Sequence, residues 1–260
     1  MHKGIPFRTY IWVVAVMMTL IGCAPASLTY KPSLLHFSTP EVSGGWGSGT
    51  AEFQIAANTP EYLLAPLYQN GAFNSVGLDR ASYLDPTETL VKINAWLGVF
   101  ENTDIYLGTD RLLGAKIQLL GGSRFSHEKG FKVALSAKGG TRINRDNGFF
   151  SSSLGRISSS SHTVDVIDVA LNVGYRYNPH LLGYLNSFSS KNDVSGKLVG
   201  GGVVHEINVT SRSYGFLLGV NVSNDKNGFI TFEIGRAQTT WLGLDAVKSN
   251  PLGASLGYAW

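Results

Sequence analysis

Leu113-Gly114-Ala115-Lys116-Ile117-Gln118-Leu119 is the stretch on which the reading of the fold turns. Leu113, Ala115, Ile117 and Leu119 are apolar, while Gly114, Lys116 and Gln118 between them are small or polar. A period of two puts successive side chains on opposite faces of an extended strand. One face then lies in an apolar medium and the other in a polar one.

The same period recurs on either side. Val91, Ile93, Ala95, Leu97 and Val99 oppose Lys92, Asn94 and Trp96; Phe131, Val133, Leu135 and Ala137 oppose Lys132, Ser136 and Lys138. Ile167 to Tyr175 at odd positions oppose Asp168, Ala170, Asn172 and Arg176, and Tyr214 to Val222 at even positions oppose Gly215, Gly219 and Asn221. Ile230, Phe232 and Ile234 oppose Thr231 and Glu233, and Leu252, Ala254, Leu256, Tyr258 and Trp260 oppose Gly253, Ser255 and Gly257. Weaker alternation covers Thr50 to Ala57, Asp104 to Thr109 and Val203 to Thr210. The expectation is an all-β, antiparallel up-and-down barrel of about ten strands, with eight as the alternative. Its polar interior row is expected to contain Lys92, Lys116, Gln118, Lys132, Lys138, Glu206 and Glu233.

Short turn signals separate the strands: Glu101-Asn102-Thr103, Thr109-Asp110-Arg111 and Asn224-Asp225-Lys226-Asn227-Gly228. Three connections read as long, at 58–87, 140–162 and 239–251, and each follows an odd-numbered strand. A barrel with short periplasmic turns and long external loops has that rhythm. Residues 178–197 break it, as a long link on the periplasmic side, and mark the place where a strand is missed or misassigned.

The N-terminus reads as an export signal: basic His2, Lys3 and Arg8, an uncharged apolar run from Tyr10 to Ile21, then Gly22. The run falls short of the roughly 20 residues that a spanning helix needs. Leu20-Ile21-Gly22-Cys23 then resembles the lipobox of bacterial lipoproteins, in which the cysteine is diacylated and becomes the first residue of the mature chain. Cys23 is the only cysteine, so no disulfide forms within one chain. The resemblance implies sorting to the outer membrane, since Ala24 rather than Asp follows the cysteine. Residues 1–22 are therefore expected to be a signal peptide, 23–48 a Pro-, Ser- and Gly-rich lipid tether, and 49–260 the barrel domain.

Loss of residues 1–22 removes Lys3, Arg8 and no acid, taking the net charge from +3 to +1. That balance carries no nucleic-acid signal. Charged residues make up 15% of the chain against a usual share of about 25%, and glycine is abundant at 31 residues.

The final Leu256-Gly257-Tyr258-Ala259-Trp260 resembles the last strand of bacterial outer-membrane β-barrel proteins, which ends on an aromatic residue with apolar residues at alternate positions. In that family the strand is recognised by the barrel-assembly machinery and closes against the first strand. The resemblance implies that Leu256, Tyr258 and Trp260 are an assembly signal, and that the partners are outer-membrane lipid and the barrel-assembly and lipoprotein-sorting machineries. Most such barrels are not lipoproteins, so Cys23 with Trp260 is an unusual pairing.

Function is expected to be non-enzymatic: a structural, surface-interaction or narrow-pore role. The alternative is a lipid-anchored periplasmic β-sandwich that binds an envelope partner, and the third reading is a lipid-modifying hydrolase. His127-Glu128 and His205-Glu206 point to opposite faces of a strand, His162 and Asp165 lie by a serine-rich loop, and no G-x-S-x-G occurs. No cofactor or metal is expected, because H-E-x-x-H, paired cysteines and an EF-hand spacing are all missing. If Cys23 is acylated, palmitate labelling of intact cells marks the wild-type protein and is lost in Cys23→Ser. Equal label in both overturns the lipoprotein reading.

Overall fold

Strands that face hydrocarbon cannot leave backbone N–H and C=O groups unpaired, so a sheet in a bilayer has to close on itself. The computed structural model describes residues 39–58, 88–109, 111–146, 157–200, 203–241 and 247–260. The strands are β1 (Gly49–Asn58), β2 (Glu88–Phe100), β3 (Thr103–Gly108), β4 (Leu113–Leu120), β5 (Gly130–Asp146), β6 (Ile157–Asn178), β7 (Leu181–Gly200), β8 (Val203–Ser223), β9 (Gly228–Trp241), β10 (Val247–Ser249) and β11 (Leu252–Ala259). Each pairs antiparallel with its sequence neighbour as far as β9, which pairs with both β10 and β11. β11 then pairs with β1 from Thr50↔Ala259 to Ala57↔Leu252, closing the barrel.

β10 and β11 lie along one edge of β9 as a single interrupted strand, so the barrel has ten strands. The interruption falls at Pro251, which has no N–H to give to a ladder. Closure overturns the two-sheet sandwich, which needs open edges.

Burial is inverted relative to a soluble barrel. Leu119, Leu218 and Ile234 are 62%, 55% and 58% exposed on the outside, while Gln118, Lys132 and Glu233 are 6%, 1% and 3% exposed on the inside. On β8 the outward row runs Val222, Val220, Leu218, Phe216, Tyr214. Eight residue steps at about 3.4 Å, tilted by about 40°, give an apolar belt roughly 20 Å tall, near the ~25 Å of a membrane barrel. On the outer wall Phe131, Tyr175 and Tyr177 stack edge to face with centroids 5.1 and 4.9 Å apart. They sit beside the short turns, where interfacial aromatics belong.

β6, β7 and β8 are 22, 20 and 21 residues long. A bilayer crossing takes about 9–11. Beyond the belt their outer faces turn polar: Lys191 Nζ donates to Asp193 at 2.7 Å, Thr210 Oγ1 donates to the same carboxylate at 2.6 Å, and Thr163 and Ser195 share a hydroxyl contact of 2.9 Å.

Three expectations are corrected. Residues 178–197 are not a link: Asn178-Pro179-His180 is a tight turn, and Leu181–Gly200 is β7. The stretches 203–210 and 214–222 are one strand, β8, so the count of ten stood on two errors that cancelled. The connection at 140–162 is mostly ladder, since β5 runs to Asp146 and β6 starts at Ile157. Residues 59–87 of the connection expected at 58–87, the signal segment and Cys23 lie outside the described residues.

Leu256 and Tyr258 face outward at 61% and 49% exposure. Trp260 ends the seam: Gly49 N–H donates to Trp260 O and Trp260 N–H to Gly49 O, both at 2.9 Å. Its indole covers Gly49, where a Cβ would stand 2.6 Å from the ring. Deletion of 256–260 should therefore remove about half of the β1–β11 ladder and abolish the heat-modifiable band on unboiled gels, with Trp260→Ala lowering membrane yield several-fold. Unchanged yield and mobility after the deletion would contradict closure through this strand.

Candidate functional site

The inward rows of the strands converge on a lumen that the chain fills itself. At the end with the short turns, residues 39–48 fold into the mouth before β1 begins. Glu41 accepts from Arg176 through Nε at 2.6 Å and also through Nη2, with Lys132 Nζ at 3.9 Å. Arg176 Nη1 also donates to Pro179 O at 2.8 Å, which ties the ion pair to the β6–β7 turn. Val42 N–H donates to Gln118 Oε1 at 3.0 Å, and Arg124 N–H to Val42 O at 2.9 Å. Ser43 donates to Asp104 through N–H at 2.9 and 3.0 Å and through Oγ at 3.0 Å.

The glycine- and serine-rich residues 44–48 then bend the strap out to β1. Gly44, Gly45 and Gly47 all have positive φ, at 101°, 107° and 86°, which only glycine adopts freely. Arg124, from the 3-10 turn Arg124–Ser126 between β4 and β5, lays its guanidinium 4.1 Å above the Phe229 ring. Desolvation pulls this guanidinium below its ordinary pKa, opposed by the charges of Glu41 and Glu52.

Above the strap is a layer of cations on aromatics. Trp96 and Tyr106, facing each other across β2 and β3, are 1% and 0% exposed with centroids 4.9 Å apart. Lys116 sits 4.5 Å from the Trp96 ring, and Lys138 and Lys92 sit 4.6 and 5.1 Å from the Tyr106 ring. Lys116 also faces Asp104 at 3.9 Å. On the opposite wall Tyr184 Oη donates to Glu233 at 2.5 Å, and on β1, beside β2, Gln54 Nε2 donates to Glu52 at 2.8 Å. The Tyr184 ring passes over Gly219, and the Phe229 ring over Gly257, at distances that leave no room for a Cβ. Phe188 and Leu217, with Ala170 and Ala237, form an apolar cluster further along the lumen, Phe188 lying four residues beyond Tyr184 on β7.

Of the residues expected to line the interior, Lys92, Lys116, Gln118, Lys132, Lys138 and Glu233 all have 6% exposure or less. The side chain of Glu206 lies outside the described residues, and the inward row of β8 is formed by odd positions such as Ser211, Ser213 and Leu217. Sequence reasoning missed Glu41, Asp104 and Arg124. The signal that could have found Glu41 is a small surplus of cations: Lys92, Lys116, Lys132, Lys138 and Arg176 on the polar strand faces stand against Glu52, Asp104, Asp168 and Glu233. A carboxylate from outside the strands is the natural counter-charge.

Hydrolytic chemistry finds no arrangement among the described side chains. His180 lies on the surface with Nε2 3.6 Å from Asp225 and Nδ1 3.2 Å from Ser223 O, and His127 is exposed. The side chains of His162 and His205 lie outside the described residues. No group of three metal-binding side chains occurs among the described residues.

No protein-family model and no curated protein matches the chain. Among solved structures, it is similar to Ail, the attachment invasion locus protein of Yersinia pestis. The identity is 12%, with 84% of this chain and 100% of that one covered and a TM-score of 0.39. It is also similar to Neisserial surface protein A, at 13% identity, 81% and 95% coverage and a TM-score of 0.35. The N-terminal β-barrel domain of Pseudomonas aeruginosa OprF follows at 9%, 80% and 97%, and 0.30. At these values no role passes from those proteins to this one.

The strap predicts an asymmetry. Glu41→Ala leaves Arg176 and Lys132 buried without their anion and should destabilise the folded barrel by about 3–5 kcal/mol, whereas Glu41→Ala combined with Arg176→Met should recover part of that loss. Urea unfolding in lipid vesicles followed by gel mobility measures both.

Proposed function

We propose that this chain is an outer-membrane barrel, acylated at Cys23, that conducts no solute and acts through the sheet it holds above the bilayer. The observation that carries the reading is strand length: β6 to β8 have about twice the residues a crossing requires. Folding such a projection adds nothing to membrane insertion, so its use lies outside. The filled lumen supports the non-conducting half of the reading, since Trp96, Tyr106, Phe188 and Leu217 occupy the cross-section that a pore needs.

The projecting sheet is built for contact. β9 pairs with β8 only from Ser211 to Ser223, and β4 pairs with β5 only as far as Gly139. Val203–Thr210 and Thr141–Asp146 therefore each have one ladder partner among the described residues, β7 and β6 respectively. An edge of this kind accepts an extended segment of a partner by strand addition. A surface-interaction role fits better than hydrolysis, for which the described side chains supply no nucleophile paired with a base.

Two measurements test the reading. Purified protein in a planar bilayer should show no steady conductance, and a current of general-porin size overturns the closed lumen. In intact cells a membrane-impermeant maleimide should label Ser195→Cys, on the projecting part of β7, and reach Lys226→Cys, at the β8–β9 turn, only after lysis. The reverse pattern places the sheet in the periplasm and ends the surface reading.

A further inference from the structure

The outer wall carries a basic arc at the upper margin of the apolar belt. Arg212 follows Tyr214 on the outward row of β8, Arg236 follows Ile234 on that of β9, and Lys248 faces outward on β10. The register sets them on a diagonal: Arg236 pairs with Phe216, Gln238 one outward position above it pairs with both Tyr214 and Lys248, and Arg212 pairs with Thr240. All three cations are exposed; the carboxylate beside Arg212, Asp193, is bonded by Lys191 and Thr210 at 2.7 and 2.6 Å and also feels the charge of Arg212. Lys191, directly opposite Arg212, is held by Asp193 and adds little net charge. The arc is one-sided. On β6 and β5 the first polar outward residues above the belt are Asp165 and Thr141, which bond to each other at 2.5 Å.

We infer that this arc binds the phosphate groups of a lipid in the external leaflet. Position decides the ligand class: the belt fixes the depth of the acyl chains, so the first polar level above it is that of the headgroups. Three cations on adjacent strands fit a multiply phosphorylated headgroup better than one zwitterionic lipid. Guanidinium forks bind phosphate oxygens in pairs, and long basic stems lie along the apolar wall while their heads reach upward. Ile230, Phe232 and Ile234, exposed below Arg236 on the same strand, offer the acyl chains a continuous track. The inference rests on the membrane reading above, and the experiment separates the two.

The full-length protein is folded into phosphatidylcholine vesicles containing about one-tenth lipid A, extracted, and weighed by native mass spectrometry. The wild type should retain lipid A over phosphatidylcholine. Arg212→Gln/Arg236→Gln/Lys248→Gln should lower that retention about tenfold or more, whereas Lys129→Gln/Lys226→Gln at the opposite end should not. Excess inorganic phosphate should leave the retained lipid in place, because the acyl chains hold it as well. Equal retention by the triple variant and the wild type overturns the inference while heat-modifiable mobility still certifies the barrel. Displacement by phosphate alone reassigns the arc to a free anion and overturns it as a lipid site. Loss of heat-modifiable mobility in the wild type counts instead against the membrane reading.

Discussion

The ladder between β1 and β11 is the constraint on which everything else depends. Eight residue pairs, Thr50↔Ala259 to Ala57↔Leu252, turn an open sheet into a wall with no free edge at membrane depth. Without them, the first and last strands would each expose a row of N–H and C=O groups to hydrocarbon, and each unpaired group costs several kcal/mol. Closure then forces a division of the sequence. Alternate residues see lipid or see the lumen, and no strand can place a charge outward at belt depth without loss.

The lumen that results has to solve a charge problem by itself. Lys92, Lys116, Lys132, Lys138, Arg124 and Arg176 are all withdrawn from solvent. Two devices settle them. The upper lysines lie on Trp96 and Tyr106, whose ring faces are negative, with Lys116 also facing Asp104; below them Lys132 and Arg176 meet Glu41, and Arg124 lies on Phe229. Glu41 is the pivot of the second device, because it arrives on a strap separated from Arg176 by 135 residues. Its cations come from β5 and β6, so the ion pair exists only where those two strands stand side by side.

The alternation of Leu113 to Leu119 was enough to predict the barrel and the inward direction of Lys116 and Gln118, because lipid and lumen impose the period directly. Strand ends were another matter. Residues 181–200 contain Ser187, Ser189, Lys191, Asp193 and Ser195 on the outward row, so the apolar half of the period is missing and the strand looked like a loop. From Lys191 on, that row is polar for a physical reason: it stands in water above the belt, where both faces of a strand are polar, while Ser187 and Ser189, paired with Phe216 and Tyr214, interrupt the apolar row within the belt. The same reason hid the upper parts of β5 and β6. Glu41 was hidden differently, in a segment whose proline, serine and glycine content reads as linker, although those glycines serve to bend the strap into the mouth.

A lipid-facing wall, a self-neutralised lumen and a sheet continued into water place the functional freedom of this chain in one region. Substitutions in the belt disturb insertion, and substitutions at Arg176 or Glu41 strand a buried charge. On the projecting parts of β5 to β8, by contrast, the strands are held by the upper ends of the β6–β7 and β7–β8 ladders and by surface hydrogen bonds such as Thr210 to Asp193. Outward side chains there are bound neither by lipid nor by a packed core. A surface that keeps its shape through the backbone while its side chains stay free to vary is what recognition of an external partner requires. In this barrel the outward row of β8 turns from apolar to polar two residue steps above Tyr214, at Arg212.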